Sequence, residues 1–428
     1  MHSPPDSADC TKRLRTRSQK FWRDVAVIVS LTGGVIWAYF WWDERPIQQM
    51  ETLLQQRQDA AALALANSYL RDHPGHGQAQ ELKGRALVGS KRWSEASQLF
   101  EWVGVVTPAG ERAWSLALLH QQRWGEAQPL LTHLHQRSPQ DAEVLHELIS
   151  CNGKLGNLDE AILQAEQLVE VPGQEARGFL LLGTLHNNRL NRKQAIQAWQ
   201  RVLQVNADAS GLQVSADEFL LAFGRASLQE GQPQEAISLF ERSLAIRATA
   251  EAQTYLGEAF EQLGDSERAV TAWTRAIEMD SLSVKAREGM ARAALLQQAS
   301  AKALEWLRPV LSQPDLASST AYLAQRAYAL AGDNSEAASW EKRVEQLRHQ
   351  EQRRDLIETG IQRSPQSFWS RAVLAHRFAR EGNAVQAAQI VMMLLKDAPD
   401  EPFLRELARH LERGTPLPSL DLIPLKQY

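Results

Sequence analysis

Residues Leu256–Trp273 read LGEAFEQLGDSERAVTAW, and this stretch decides the fold. A small residue, Gly257, comes first; a turn follows at Gly264 and Asp265, then Ala269, and an aromatic, Trp273, four residues on. The same frame is written in GRALVGSKRWSEASQLF (84–100), LGTLHNNRLNRKQAIQAWQ (182–200) and FGRASLQEGQPQEAISLF (223–240). One structural unit is therefore repeated along the chain, and its period comes before any other reading.

The recurring alanine falls at Ala62, Ala96, Ala127, Ala161, Ala195, Ala236, Ala269, Ala303, Ala337 and Ala387, and five of the nine steps are 34 residues. Gly84, Gly183, Gly224 and Gly257 stand twelve before their alanine, where one helix would pack closely on its neighbour. Phe100, Leu131, Trp199, Phe240, Trp273 and Leu307 stand four after it. Pro74, Pro108, Pro139 and Pro399 stand twelve after, placed to end a second helix because proline lacks the backbone donor. The frame closely resembles the tetratricopeptide repeat (TPR) family, a pair of antiparallel helices per 34 residues. The resemblance implies an all-α chain, a right-handed α-solenoid of about ten helix hairpins over residues 47–400. A capping helix at 401–413 would cover the apolar face of the last unit, and residues 414–428, with three prolines, read as an extended tail.

Three units depart from the frame: Ala66 replaces the aromatic in the first, and Ile149 and Ala291 replace the glycine in those at 142–173 and 284–315. Two insertions interrupt it. Residues 206–215 read as a loop, and the charged stretch from Trp340 as an elongated or extra helix.

Ahead of the repeats, Val25–Trp42 runs 18 residues without a charge, between Arg23-Asp24 and Asp43-Glu44-Arg45. At 1.5 Å per residue that is roughly 27 Å of helix, close to a hydrocarbon core of about 30 Å. Aromatics crowd both ends, and bulky rings occupy the place where a signal peptidase needs small residues. The expectation is an uncleaved transmembrane signal anchor at 21–44 behind a basic cytoplasmic tail at 1–20. Residues 1–23 carry a net charge of +4 and the remainder −8, so the positive-inside rule keeps the amino terminus cytoplasmic and the repeats periplasmic or otherwise extracytoplasmic. Ala26, Ser30, Gly34 and Ala38 line one helix face at every fourth residue, a candidate surface for homodimer formation or for pairing with another membrane protein.

Composition excludes several functions. No basic stripe tracks a phosphate backbone, so nucleic acid is not the expected ligand. The two cysteines, Cys10 and Cys151, fall on opposite sides of the expected membrane and found no disulfide framework. The histidines, His73, His76, His133 and His135 among them, lack carboxylate or thiol neighbours at ligand spacing, so no metal is expected. GxSxG, HExxH, GxxxxGK[ST] and GxGxxG are missing, no cofactor is implied, and the repeats leave no room for a catalytic domain. Trp93, Trp124, Trp199 and Trp273 hold fixed places in the frame and read as core rather than as sugar-stacking platforms.

Function is then sought where the resemblance puts it, on the groove lined by the first helix of each unit. The groove position eleven before the alanine reads Arg85, Leu116, Ser150, Thr184, Arg225, Glu258, Arg292, Arg326 and His376. Arg85, Arg225, Arg292 and Arg326 offer guanidinium forks to carboxylates or carbonyls, and Thr184, Asn187 and Asn188 offer hydrogen bonds to a peptide main chain. The plainer reading is a solvated face whose arginines are partly neutralised by Glu258 and Glu288. The lysine and asparagine clamp that chaperone-binding relatives use is missing. The expected function is a non-enzymatic, membrane-tethered scaffold or assembly factor for protein or peptide partners. Its rivals are a subunit of an envelope enzyme and a cytosol-facing adaptor.

Overall fold

Helices joined by three-residue turns must fold back on one another, and that local rule builds the whole array. The computed structural model describes residues 45–424, and every regular element among them is helical. The expected tail at 1–20, the span at 21–44 and its face of Ala26, Ser30, Gly34 and Ala38 lie outside the described residues. Among the described residues no helix is long and apolar enough to cross a membrane.

The chain divides into two compact units after Gly178. The first holds α1 (45–55) and α2 (Asp59–Asp72), α3 (Gly77–Gly89) and α4 (Trp93–Val103), α5 (Pro108–His120) and α6 (Trp124–Arg137), and α7 (Ala142–Leu155) and α8 (Leu158–Val169). The division falls inside α9 (Glu175–Asn188), which is followed by α10 (Arg192–Val205). The second unit continues with α11 (Ala216–Gln229) and α12 (Pro233–Ile246), α13 (Ala250–Gln262) and α14 (Ser266–Met279), and α15 (Val284–Leu296) and α16 (Ser300–Leu307). It ends with α17 (Ser318–Leu330) and α18 (Asn334–Arg363), α19 (Phe368–Arg380) and α20 (Ala384–Asp397), α21 (Pro402–Arg413), and a 3₁₀ turn at Leu420–Leu422. The insertion after Trp340 is thus one continuous helix, α18, and residues 206–215 are a loop.

The turns within helix pairs follow one backbone recipe. In α13, the amide of Asp265 bonds the carbonyl of Phe260 at 2.9 Å across Gly264, whose φ is 79°. This closure satisfies carbonyls that the helix end leaves open and needs one left-handed residue. The same bond joins Asn191 to His186 across Leu190 (φ 63°) and Ala299 to Ala294 across Gln298 (φ 59°), so the recipe holds even without glycine. Asp265 also caps α14, accepting from the Arg268 amide at 3.1 Å.

Packing explains the frame. A Cβ built on Gly224 would come 2.6 Å from the ring of Phe240, and one on Gly84, Gly183 or Gly257 would strike Phe100, Trp199 or Trp273. The missing side chain is the seat of the ring four residues past the alanine. Nine of the ten recurring alanines are at most 1 % exposed. Two departures from the frame are size reversals: Met50 and Ile149 fill the first-helix position while Ala66 and Ala165 take the other, and all four are buried. Summed volume is conserved, which is what a close-packed interior tolerates. The tenth alanine, Ala337, is half-buried because Gln325 and Glu341 hold the two packing positions of its pair. Contact there moves back one residue, to Ala324 and Trp340.

Pro108 differs from expectation by opening α5, behind the Thr107 cap, rather than ending α4. That repeat is three residues short, so α4 stops at Val103 before Gly104 (φ 78°) and the proline falls in the next first turn. At the carboxyl end, α21 seals the stack with Phe403, Leu404 and Leu407, all fully buried.

Replacing Gly257 with Ala is expected to lower unfolding free energy in urea by about 1–3 kcal/mol through overpacking against Trp273. Gly125→Ala, where a Cβ meets nothing within 4 Å, is expected to stay within about 0.5 kcal/mol of the parent. Equal losses at both sites would refute the ring-seat account. Gln298→Gly, relieving a left-handed non-glycine, is expected to gain about 1 kcal/mol in the same assay.

Candidate functional site

The first helices of the pairs present polar side chains, and much of that polarity is already committed to structure. Fifteen residues before the alanine, side chains reach the start of the next first helix. Glu81 is buried and accepts from the amides of Val106 and Thr107 at 3.0 and 3.2 Å and from the Thr107 hydroxyl. Arg112 bonds Asp141 at 3.2 Å, Thr254 meets Ser283 at 3.2 Å, and Glu288 accepts from Ser319 and Thr320 at 2.8 and 2.5 Å. Glu288 is therefore occupied by two hydroxyls at the start of α17.

The predicted groove residues fall into four groups. Arg85, half-buried on α3, belongs to the first unit. On α9, Thr184 spends its hydroxyl proton on the Leu180 carbonyl of its own helix, 2.9 Å away. Asn187 and Asn188 stand in the last turn of that helix. Arg225 on α11 pairs with Glu251 at 3.3 Å and lies 5.0 Å over the ring of Tyr255, which Lys285 covers at 4.6 Å. The fourth group, Arg292 and Arg326, is brought to one place.

That place is a cavity of about 290 Å³ on α13, α15 and α17, lined by Glu261, Arg292, Leu295, Leu296, Ser319, Tyr322, Leu323 and Arg326. Arg292 forms a bidentate pair with Glu261, at 3.0 and 2.7 Å, and its guanidinium lies 5.7 Å from the ring of Trp273. Burial raises the nearby Glu258 carboxyl above the ordinary carboxylate range, against the pull of Lys285 and Arg292. Arg326 is exposed and has no hydrogen bond or ion pair among the described residues. Arg348 of α18 approaches from the side, 5.7 Å over Tyr322. The direct partners of the paired arginines are thus Glu251 and Glu261, while Glu258 and Glu288 act on Arg292 through their charge without an ion pair.

Leu296 and Tyr322 are cavity residues that sequence reading missed. Seven residues before the alanine the chain is polar or charged at Lys154, Asn188, Gln229, Gln262 and Arg380, but leucine at Leu296 and Leu330. Leu296 is 81 % exposed, and that break in the polar column was the available signal. Elsewhere, burial pushes Glu147 up to about 7 despite Arg112 at 3.3 Å, and pushes the Cys151 thiol up to about 11 while it donates to the Trp124 carbonyl. A protonated thiol of that kind is no nucleophile at neutral pH. Among the described residues there is no group of three His, Cys, Asp or Glu that could hold a metal ion.

The tetratricopeptide repeat family model matches residues 254–318, from α13 to the start of α17. No curated protein matches. Among solved structures, the C-terminal part of a TPR repeat-containing protein from Cytophaga hutchinsonii is 14 % identical, covering 57 % of this chain and 99 % of its own, at a TM-score of 0.47. A tetratricopeptide repeat protein from Parabacteroides merdae is 14 % identical over 56 % of this chain and 93 % of its own, at a TM-score of 0.45. YrrB, described as a TPR protein with an unusual peptide-binding site, is 15 % identical over 50 % and 97 %, at 0.37. Residues 254–318 match the tetratricopeptide repeat model, and the glycine-to-aromatic frame at 84–100, 183–199 and 224–240 lies outside the matched residues.

Proposed function

We propose that this protein is a non-enzymatic scaffold that holds an extended segment of a partner protein against α13, α15 and α17 of its second unit. The observation that carries the reading is Arg326: an uncommitted guanidinium at the rim of a cavity whose other residues include Leu295, Leu296, Tyr322 and Leu323. A cavity of that size accepts one large apolar side chain, and a guanidinium beside it accepts a carboxylate or main-chain carbonyls in a bidentate grip. The partner segment is therefore one that places an aspartate, a glutamate or a chain-terminal carboxylate next to a leucine-sized or aromatic residue. Because Arg292 is already neutralised by Glu261, it orders the cavity wall and Arg326 supplies the unpaired charge.

The sequence extends this reading to the membrane. The uncharged run at 25–42, its aromatic ends and the +4 tail support a scaffold anchored by one N-terminal helix, with the repeats on the extracytoplasmic side and its partner among envelope assemblies there.

Two measurements test the proposal. With a photo-crosslinking amino acid at Tyr322 in living cells, a discrete adduct is expected, and Arg326→Ala should weaken its partner roughly tenfold, the value of one charge-assisted contact. An adduct of unchanged yield in Arg326→Ala and Arg326→Glu would move the interface elsewhere. Protease added to cells with a permeable outer layer and an intact inner membrane is expected to digest the repeats down to a stub near residue 42. Full protection would reverse the topology.

A further inference from the structure

Residues 414–424 do not trail away from the last repeat. Gly414 ends α21 in the left-handed conformation (φ 65°), and the chain then turns back across α18 and α19. Pro416, Pro418 and Pro424 remove three amide donors from this segment, which makes a 3₁₀ turn at Leu420–Leu422, with the Leu422 and Ile423 amides on the Ser419 and Leu420 carbonyls at 3.2 and 3.1 Å, and meets its neighbours through carbonyls. The Arg353 guanidinium donates to the carbonyls of Asp421 and Ile423 at 2.5 and 2.6 Å, reaches that of Leu420 at 3.5 Å, and meets the Asp421 carboxylate at 3.1 Å. The His376 ring lies 3.0 Å through Nε2 from the Pro418 carbonyl. Ile423 is fully buried beside Ile357, Trp369 and Val373, with Leu417 and Leu420 against the same cluster.

His376 holds the repeat position that carries Arg292 and Arg326 in earlier pairs. Residues 417–423 thus lie on the last helix pair at the frame position that carries Arg292 and Arg326 in earlier pairs. Apart from the Asp421 carboxylate, the polar contacts from α18 and α19 read the main chain, and one apolar anchor is inserted. The seat is not filled: a cavity of about 290 Å³ remains among Gln350, Arg353, Arg354, His376 and residues 418–421.

We propose that this face of α18 and α19, built on Arg353, Ile357 and His376, is a second peptide-binding site. It recognises a proline-containing segment that makes a short turn before a Leu or Ile anchor, and residues 415–424 occupy it in cis as a displaceable ligand. Tethering through Gly414 gives the tail an effective concentration of about millimolar, so a partner segment displaces it only when tighter binding or its own tethering overcomes that advantage. The site stands apart from the cavity at Arg326, and its failure would leave that reading untouched.

Hydrogen exchange on the full chain tests this first. Amides between Leu417 and Ile423 are expected to exchange at least tenfold faster than those in the middle of α21, because the tail releases while α19–α21 stay folded. Equal protection would make the tail a fixed part of the fold and overturn the proposal. The second measurement is binding of a labelled peptide with the sequence of residues 415–424 to the chain ending at Gly414. Saturable binding is expected, at least tenfold weaker in the full chain and in Arg353→Ala of the shortened one. A shortened chain that binds no peptide, or that loses the helical signal of α19–α21, overturns the proposal, since either result gives the tail a structural role only.

Discussion

The structure depends on one contact, an aromatic ring set where a β-carbon is missing. Trp273 is the fullest case. Its indole covers Gly257 on the first helix of its own pair and Gly289 on the first helix of the next, and it is 1 % exposed. One side chain therefore fixes the spacing within a pair and between pairs. Because each such ring locks only its neighbours, stability accrues locally, as expected where each repeat touches only the next. Phe100, Trp199 and Phe240 repeat the contact on Gly84, Gly183 and Gly224. Where the sequence departs from it, the size difference is reversed in Met50 with Ala66, shifted by one residue in Ala324 with Trp340, or reduced in Ala291 with Leu307.

A second device governs what the polar face can still do. Each new first helix brings unpaired amides and cap hydroxyls to its start, and in four places a side chain of the preceding first helix satisfies or grips that end. Glu81 and Glu288 are consumed in this way. Arginines that look alike in sequence then diverge: Arg225 and Arg292 are held by acids, and Arg326 keeps its donors. The binding potential of the face is what remains after the fold has taken its share, and it concentrates at one mixed apolar and cationic cavity.

The carboxyl end applies the same chemistry to the chain itself. Three prolines keep residues 414–424 out of a regular α-helix, and Arg353 holds the carbonyls of Asp421 and Ile423 at the 3₁₀ turn. An end of this kind protects the apolar face around Ile357 and Trp369 while leaving part of the seat open.

The sequence by itself determined the period, the helix pairs, the capping helix and the glycine-to-ring correspondence, because spacing along one chain encodes which residues share a helix face. It also named Arg292 and Arg326 as residues of one face. Tertiary structure alone decided the rest. Gly289 could not be recognised as the second seat of Trp273, since that contact crosses from one pair to the next. Nor could the partners of Arg292 and Arg225, 31 and 26 residues away, be chosen among several acids at similar frame positions. Leu296 and Tyr322 meet at a cavity only because α15 and α17 pack side by side. The tail's return to His376 and Arg353 spans 42 and up to 70 residues, a distance over which a one-dimensional pattern carries no information about contact.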